Sequence, residues 1–336
     1  MQAAPLATAT IIEVARKAGV SPSTVSRVVN GSAGVSERKR LAVEATIREL
    51  NFRPNPSARS LKTGTTMSVG VVVQDLESPF FTRMLRGIEV GLADSGNVPI
   101  IVSGLWNAAE EAARIRLLVE RRIDGLIVLA GHLSDDALIE FARIQPVAVA
   151  GRELSGPNLS AKWVDQDEAG HLATTHLLAH GHRRIAFIAG PTTQQDAVQR
   201  YAGYCRAHRD HGIEPNPALC AQGDFLETSG LLAMNRLLDA GEPFTAVFAA
   251  NDQMAYGARV ALYRRGVRVP DDISLVGVDD MPASAFMTPG LTTVRQPLHE
   301  IGLHTASSLL RLLGQDAAEV EVPGLQLIVR ETTRRL

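Results

Sequence analysis

With 336 residues, 45% of them hydrophobic, the chain can bury more than one core, so we expect at least two domains. Its formal charge of −2 conceals an asymmetry, because residues 1–64 carry ten Lys and Arg against four Glu, whereas the remainder carries 24 basic and 32 acidic residues. This basic head (residues 1–64) is typical of a segment that meets a polyanion, and two cysteines without CxxC spacing exclude a disulfide framework and a zinc finger.

The amino terminus gives no sign of a targeting segment. MQAAPLATATII lacks the cationic region of a secretory signal, and the apolar runs are too short to span a bilayer. We therefore expect a cytoplasmic protein without membrane contact. Residues 1–9 are small and mostly neutral, and are predicted to be a disordered tail.

The stretch from Thr10 to Gly31 predicts two short helices around a tight turn, a helix-turn-helix. Gly19 tolerates the positive φ that ends the first helix, in which Ile12 is expected to face inward. Ser21 followed by Pro22 is the cap and first-turn pair that opens the second helix.

The second helix is predicted to have two unlike faces. Its inward face is made of three valines, Val25, Val28 and Val29. Ser23, Arg27 and Asn30 share the outer face, which is small, polar and cationic. Such a face fits the DNA major groove, where Arg bonds guanine and Ser or Asn reads base edges or holds phosphates. The alternative is a surface hairpin whose outer face is merely solvated, and the charge of the head favours the groove.

A third helix completes a compact unit over residues 10–53. Ser36 is expected to cap it, and its inward stripe is predicted to be Leu41, Ala45, Ile47 and Leu50.

Residues 54–64 are predicted to form a hinge helix that is stable only on contact, since isolated helices below roughly 12 to 15 residues rarely hold in water. Leu61, beside Arg59 and Lys62, fits an apolar wedge inserted into a minor-groove base step. A plain linker is the alternative.

From Met67 the pattern changes to alternating strands and helices, which predicts the α/β class. Runs such as MSVGVVV, PIIVS, DGLIVLA and PVAVA lack polar alternation, as buried parallel strands do. A second series follows residue 163. We expect a body (residues 65–336) of two lobes with doubly wound parallel sheets, crossed three times by the chain. The expected lobes are residues 65–162 with 293–322, and residues 163–292 with 323–336.

Several polar and aromatic side chains follow predicted strands of the body, where open α/β sheets bind ligands. Converging Asp, Asn and Arg can hold vicinal hydroxyls, while Phe rings cover the apolar face of a sugar ring. The pattern predicts a site for a carbohydrate-sized polyol. For Asn251 and Asp252 the alternative is simple helix capping. The residues concerned are Asp75, Phe80, Phe81, Arg200, Asn251 and Asp279.

The main alternative function for such a body is an enzyme, but the sequence motifs of nucleotide-binding and hydrolytic enzymes are missing. The chain has no GxxxxGK loop, no GxSxG elbow and no HExxH. His180 and His182 are expected to be turn and surface residues rather than metal ligands. We expect no catalytic residue, no metal and no cofactor.

The chain resembles the lactose/galactose repressor (LacI/GalR) family of bacterial transcription factors over nearly its whole length. VARKAGVSPSTVSRVVNG matches the family headpiece and RPNPSARSLKTG the hinge helix. In the body the matching motifs are GHRRIAFIAG, QRYAGY, GDFLETSG, AANDQMAYGA, VPDDISLVGVDDMP and LTTVRQP.

The resemblance implies a DNA-binding regulator, expected to be a repressor, whose operator affinity depends on a small effector in the cleft between the lobes. VFAANDQMA and DDMP are similar to the galactose-repressor branch, which implies a sugar or glycoside. The implied DNA-binding residues are Thr10, Ser21, Pro22, Ser23, Thr24, Ser26, Arg27, Asn30, Asn55, Ala58, Arg59 and Leu61. The implied effector-binding residues are Asp75, Phe80, Phe81, Gln194, Asp196, Arg200, Phe225, Asn251 and Asp279.

Departures from the family pattern leave the operator and the sugar open. Pro22-Ser23 is smaller than the Tyr-Gln pair of the lactose repressor, and Gly151 stands where some members place an acidic residue. No leucine heptads follow the last predicted strand, so a homodimer on a near-palindromic operator is expected. The alternative function, a sugar-binding protein without a regulatory role, would have no use for residues 10–64.

Overall fold

The computed structural model describes residues 9–53 and 64–336. The chain divides into two compact units, Met1–Thr66 and Met67–Leu336. The predicted tail, apart from Ala9, and the predicted hinge residues 54–63, with Asn55, Ala58, Arg59 and Leu61, lie outside the described residues.

Three helices form the described part of the head: α1 (Ile11–Ala18), α2 (Pro22–Val29) and α3 (Glu37–Glu49). Thr10 begins α1 with a reciprocal cap, because its hydroxyl accepts from Glu13 N and its own N–H donates to the Glu13 carboxylate at 2.6 Å. Gly19 ends α1 at φ 64°, and the hydroxyl of Ser21 accepts from Thr24 N at the start of α2. The core of the head contains Val14, Ala15, Val25, Val43 and Phe52.

Three inward positions predicted for the head are wrong. The side chains of Ile12 and Leu41 are 67% and 51% exposed, and Ala45 is exposed as well. The register of the apolar stripe explains the error on α3, where Val43, Thr46, Ile47 and Leu50 follow the i, i+3, i+4, i+7 spacing of one helix face. Ser36 precedes α3, as expected, without a side-chain capping bond.

The body contains two sheets and eight helices within the described residues. The first sheet is parallel, in the order β2-β1-β3-β4-β5: β1 (Ser68–Val73), β2 (Val98–Ser103), β3 (Gly125–Leu129), β4 (Val147–Ala150) and β5 (Leu159–Lys162). The second sheet has the order β11-β10-β9-β8-β6-β7: β6 (Ile185–Ala189), β7 (Cys220–Gln222), β8 (Ala246–Ala249), β9 (Ser274–Asp279), β10 (Thr292–Arg295) and β11 (Gln326–Ile328). Only β11 is antiparallel among these strands.

The body helices cover the faces of these sheets. They are α4 (Pro79–Leu92), α5 (Ala108–Glu120), α6 (Asp135–Ile144), α7 (Gln166–Ala179), α8 (Gln195–Asp210), α9 (Glu227–Asp239), α10 (Asp252–Arg264) and α11 (Leu298–Leu312). The predicted α/β class and the two-sheet architecture are confirmed. No helix in the described part of the chain has both the length and the hydrophobicity of a membrane span.

The chain passes between the sheets three times. It leaves the first sheet after β5, returns after β10 to place α11 against α4, and crosses again to add β11 to the second sheet. Because β10 pairs with β9, the second crossing follows Arg295 and not residue 293. The short strands β5 and β7, with the sequences LSAK and CAQ, lack the β-branched runs that marked the others.

Histidines near the end of α7 contact the carboxyl-terminal residues. His182, expected at the surface, is buried and bonds Thr245 through Nδ1 and the carbonyl of Arg334 through Nε2. His176 Nε2 lies 3.0 Å from the hydroxyl of Thr333. Burial, with the nearby His180 and His182, lowers the pKa of His176 to about 4.

This pKa predicts a loss of stability in mild acid. Because the folded-state pKa lies below 6.5, the ordinary pKa of a histidine, the contribution of His176 is present above pH 6.5 and is lost as the pH falls toward 4. We expect the free energy of unfolding to fall by roughly 2 kcal/mol between pH 7 and 5 from this residue. Urea unfolding at both pH values should show a smaller drop for His176→Gln than for the exposed control His211→Gln. Equal drops would refute the assignment.

Candidate functional site

A cavity of about 560 Å³ lies between the two sheets of the body, at the carboxyl ends of their strands. We call it the cleft, and we call the parts of the body built on the first and second sheets the first and second lobes. From the first lobe its lining includes Phe80, Phe81, Trp106, His132 and Arg152. From the second lobe it includes Gln194, Asp196, Arg200, Phe225, Asn251 and Asp279.

The wall supplied by the first lobe is aromatic. Phe80 and Phe81 meet edge to face with ring centroids 5.2 Å apart, and Phe81 contacts Trp106 at 5.7 Å. Trp106 in turn meets the imidazole of His132 at 5.7 Å. A row of rings of this kind can cover the apolar face of a flat, hydroxylated ligand.

The wall supplied by the second lobe centres on Arg200 of α8. Helix α8 can lie close to α7 because Gly170 has no side chain; a Cβ there would come within 2.2 Å of the Arg200 carbonyl oxygen. The guanidinium donates to Gln166 Oε1 at 2.9 Å and to the Ala250 carbonyl at 2.6 Å. Its Cζ lies 5.6 Å from the centroid of the Phe225 ring, so its position is fixed on several sides.

Asp279, at the end of β9, is the anionic partner of Arg200. Its Oδ1 lies 3.7 Å from Arg200 Nη2 and accepts from Gln296 Nε2 at 2.7 Å. Gln166 Nε2 donates to Gln296 Oε1 at 2.8 Å, which closes a buried ring of four side chains. Burial raises the pKa of Asp279, while the charge of Arg200 opposes that rise.

Asn251 and Asp252 have structural roles beside the cleft. Asn251 Oδ1 accepts from Met254 N at 3.0 Å to begin α10, and its amide donates to the Phe225 carbonyl at 2.9 Å. Capping and cleft lining therefore coexist at Asn251. The buried carboxylate of Asp252 accepts from Met281 N and from the hydroxyls of Ser284 and Thr293, which fixes the segment after β9.

Eight of the nine residues expected to bind an effector line the cleft, and Asp75 does not. Its Oδ1 accepts from Glu77 N at 2.9 Å, so this carboxylate stabilises a turn. The sequence reasoning missed Trp106, His132, Arg152 and Trp163. The first three follow β2, β3 and β4, so the rule that found Asn251 would have found them. The chain has only two tryptophans, and both line the cleft.

In the head, the structure places Ser23, Arg27 and Asn30 on the exposed side of α2, opposite the buried Val25. The hydroxyl of Ser21 lies 2.8 Å from that of Ser23 and 2.9 Å from that of Thr24. Asn30 donates to the Ser26 hydroxyl at 3.3 Å, and Thr10 is engaged in its cap. The residues expected to meet DNA in the described head therefore share the amino-terminal end and outer face of α2, with Thr10 before α1.

Two family models match the chain. The model for bacterial regulatory proteins of the lacI family covers residues 10–55, and a periplasmic binding protein-like domain covers residues 174–333. The HTH-type transcriptional repressor CytR of Escherichia coli strain K12 is 37% identical over 332 residues, which is 98% of this chain and 97% of that protein. The chain belongs to the LacI family. As a member, it is a DNA-binding transcriptional regulator.

Other members of the LacI family agree in sequence and fold. The HTH-type transcriptional regulator GalR of the same strain is 39% identical over 305 residues, with 90% of this chain and 89% of GalR covered. The Lac repressor dimer bound to operator and the anti-inducer ONPF superposes with a TM-score of 0.85 at 31% identity, covering 97% and 99% of the two chains. A CelR–cellobiose complex gives a TM-score of 0.69 at 35% identity, covering 96% and 99%.

Proposed function

We propose that this regulator represses transcription by placing α2 in the major groove of a near-palindromic operator, and that a carbohydrate in the cleft controls its affinity for DNA. The observation that carries the proposal is the pair of unlike walls of the cleft. A row of rings faces a buried set of Arg200, Asp279 and Asn251, which is the arrangement that a polyol with one apolar face requires.

Support for the DNA contact comes from the head. The outer face of α2 exposes Arg27 between two short polar side chains, and α2 has no acidic residue that would repel phosphates. The Lac repressor neighbour, a dimer bound to operator, favours a homodimer here as well. Large exposed apolar side chains on the second lobe, Tyr263 and Phe286, are suited to an interface between two copies.

The charges of the cleft favour a neutral effector. Four acidic side chains, those of Asp135, Glu153, Asp196 and Asp279, line it against two guanidiniums, those of Arg152 and Arg200. Burial raises the pKa of Asp196 and of Asp279, which favours their neutral forms. An anionic ligand would therefore meet no excess of positive charge there, whereas hydroxyl groups can bond both acidic and basic side chains. In the CelR–cellobiose complex, a relative of similar fold binds a neutral sugar.

Hydrogen bonds connect the charged residues of the cleft to the segments that join the two lobes. Gln166 opens the helix after the first crossing, and Gln296 lies in the second. Their hydrogen bond joins the two crossing segments, and each also bonds a charged cleft residue, Arg200 or Asp279. A ligand that engages these two charges in only one lobe arrangement would shift the equilibrium between arrangements. We propose residues 10–53 as the DNA-binding unit, 54–64 as the hinge and 65–336 as the unit that responds.

A matched ligand pair tests the effector class. Thermal unfolding of the full chain should be recorded with galactose, lactose, cellobiose and glucose, and with glucose 6-phosphate as the charged counterpart of glucose. We expect at least one neutral sugar to raise the unfolding midpoint, since a ligand at 100 times its Kd adds about 2.7 kcal/mol of stability. Stabilisation by glucose 6-phosphate alone would contradict the neutral-carbohydrate proposal.

A further inference from the structure

A loop of the first lobe, residues 130–133, forms part of the cleft wall in an unusual backbone conformation. We call it the wall loop. Ala130 has φ 53° and Gly131 has φ 118°, and all four residues of the loop line the cleft. A non-glycine residue at positive φ requires surrounding structure that holds it there.

Two side chains of opposite charge, Glu111 and Arg152, hydrogen-bond to the backbone of the wall loop. The carboxylate of Glu111, on α5, accepts from His132 N at 2.9 Å. The guanidinium of Arg152 donates to the Gly131 carbonyl at 2.7 Å and to the Leu133 carbonyl at 2.6 Å. The acid thus binds an N–H group and the base binds two carbonyl groups of one short segment.

Glu111 is 0% exposed, an unusual position for a carboxylate. Burial raises its pKa, and the N–H of His132 and the charge of Arg152 oppose that rise. The loop rests directly on this carboxylate, because a Cβ on Gly131 would lie 2.5 and 2.6 Å from its two oxygens and 2.8 Å from Gln74 Nε2. Among the described residues, neither amide atom of the buried Gln74 nor Glu111 Oε1 has a hydrogen-bond partner. Polar groups buried at such cost are expected where they position a functional segment.

We propose that Glu111 is a positioning residue for the effector, which fixes the wall loop and, through the His132 ring, the aromatic wall of the cleft. The chain of contacts runs from the Glu111 carboxylate to His132 N, then from the His132 ring to Trp106 and from Trp106 to Phe81, with ring centroids 5.7 Å apart at each step. Glu111 itself is not among the residues that line the cleft. The inference rests on the proposed function of the cleft as a carbohydrate site.

Glu111→Gln tests this role, because it keeps the shape of the side chain but removes the charge that accepts from the His132 N–H and turns one carboxylate oxygen into a donor. The matched control is Glu110→Gln, which makes the same change at the next position, where the side chain is half-exposed and pairs only loosely with Arg114 at 3.5 Å. Both variants should be made in a Trp163→Phe background, so that the fluorescence comes from Trp106 alone.

Two readouts separate positioning from general stability. In Glu111→Gln we expect acrylamide to quench Trp106 more steeply than in the control, at an unchanged far-ultraviolet circular dichroism spectrum. By calorimetry on the same two substitutions in the chain that keeps Trp163, we expect the sugar that the parent binds best, among galactose, lactose and cellobiose, to bind Glu111→Gln roughly 10-fold or more weakly, as the loss of a charged hydrogen bond implies.

Equal quenching and equal sugar affinity in the two variants would overturn the role of Glu111 and leave the function of the cleft intact. A parent protein, with Trp163 in place, that binds none of the three sugars would instead overturn the carbohydrate proposal, and the quenching comparison would still decide whether Glu111 holds the wall loop. If Glu111→Gln does not fold, Arg152→Lys loosens the same loop from its carbonyl side and should give the same steeper quenching.

Discussion

Arg200→Ala is expected to abolish the response to the effector while leaving operator binding unchanged. The guanidinium is buried, and it is held by Gln166, the Ala250 carbonyl and Asp279. Removing one partner of a buried charge pair typically costs 3 to 5 kcal/mol, because the other charge is left buried and unpaired. Here the charge left behind is that of Asp279, which lines the cleft. We expect sugar affinity to fall by about 100-fold or more, as measured by calorimetry on the full chain.

Arg209→Ala is the matched control, because Arg209 lies on the same helix but is exposed, and its Nε donates to the Cys205 carbonyl at 3.3 Å. The control should bind the sugar like the parent. Thermal unfolding without ligand shows whether Arg200→Ala remains folded, and Arg200→Lys, which keeps the charge without the fork of donors, serves if it does not. Parent-like sugar affinity in both Arg200 variants would remove Arg200 from the site.

Arg27→Ala is expected to weaken binding to the preferred DNA sequence and to relax specificity. Arg27 is exposed on α2, on the side opposite the buried Val25. A bidentate contact to guanine is worth about 1 to 3 kcal/mol, so affinity for a duplex that the parent selects from a random pool should fall by roughly 5- to 150-fold. Fluorescence anisotropy at fixed salt, with the selected and a scrambled duplex, measures both affinities.

The exposed Arg48, in the last turn of α3, offers a control that removes the same charge from the head. Arg48→Ala should weaken binding to both duplexes by a similar small factor, because the attraction of a positive charge to phosphates carries no sequence information. An Arg27→Ala protein that keeps the parent's preference for the selected duplex would show that another element reads the bases.

The head could be predicted in detail because its signals are local. The turn at Gly19 and the Ser21-Pro22 start of α2 each involve residues within four positions of one another. The errors at Ile12, Leu41 and Ala45 came from choosing one apolar stripe where a neighbouring register also fits, and only the packing of the three helices decides between them.

The cleft could be predicted only in part, because its parts meet through the order of the strands. The rule that ligands lie beyond strand ends found Arg200, Asn251 and Asp279, yet it also suggested Asp75, whose carboxylate turns back to its own backbone. Glu111 gave no signal in the sequence, since a glutamate near the start of a helix is typical of a solvated first turn. Its burial depends on a loop that follows a different strand.

The most direct test of the account measures whether occupancy of the cleft changes affinity for DNA. Full-length parent and Arg200→Ala should be titrated onto the labelled selected duplex by fluorescence anisotropy at fixed salt, with and without the best-binding sugar of the panel. We predict that the sugar shifts the Kd of the parent by about 5- to 150-fold, the range of typical allosteric coupling, and leaves that of the variant unchanged. A sugar that binds the parent by calorimetry but leaves its Kd for the duplex unaltered would contradict the account.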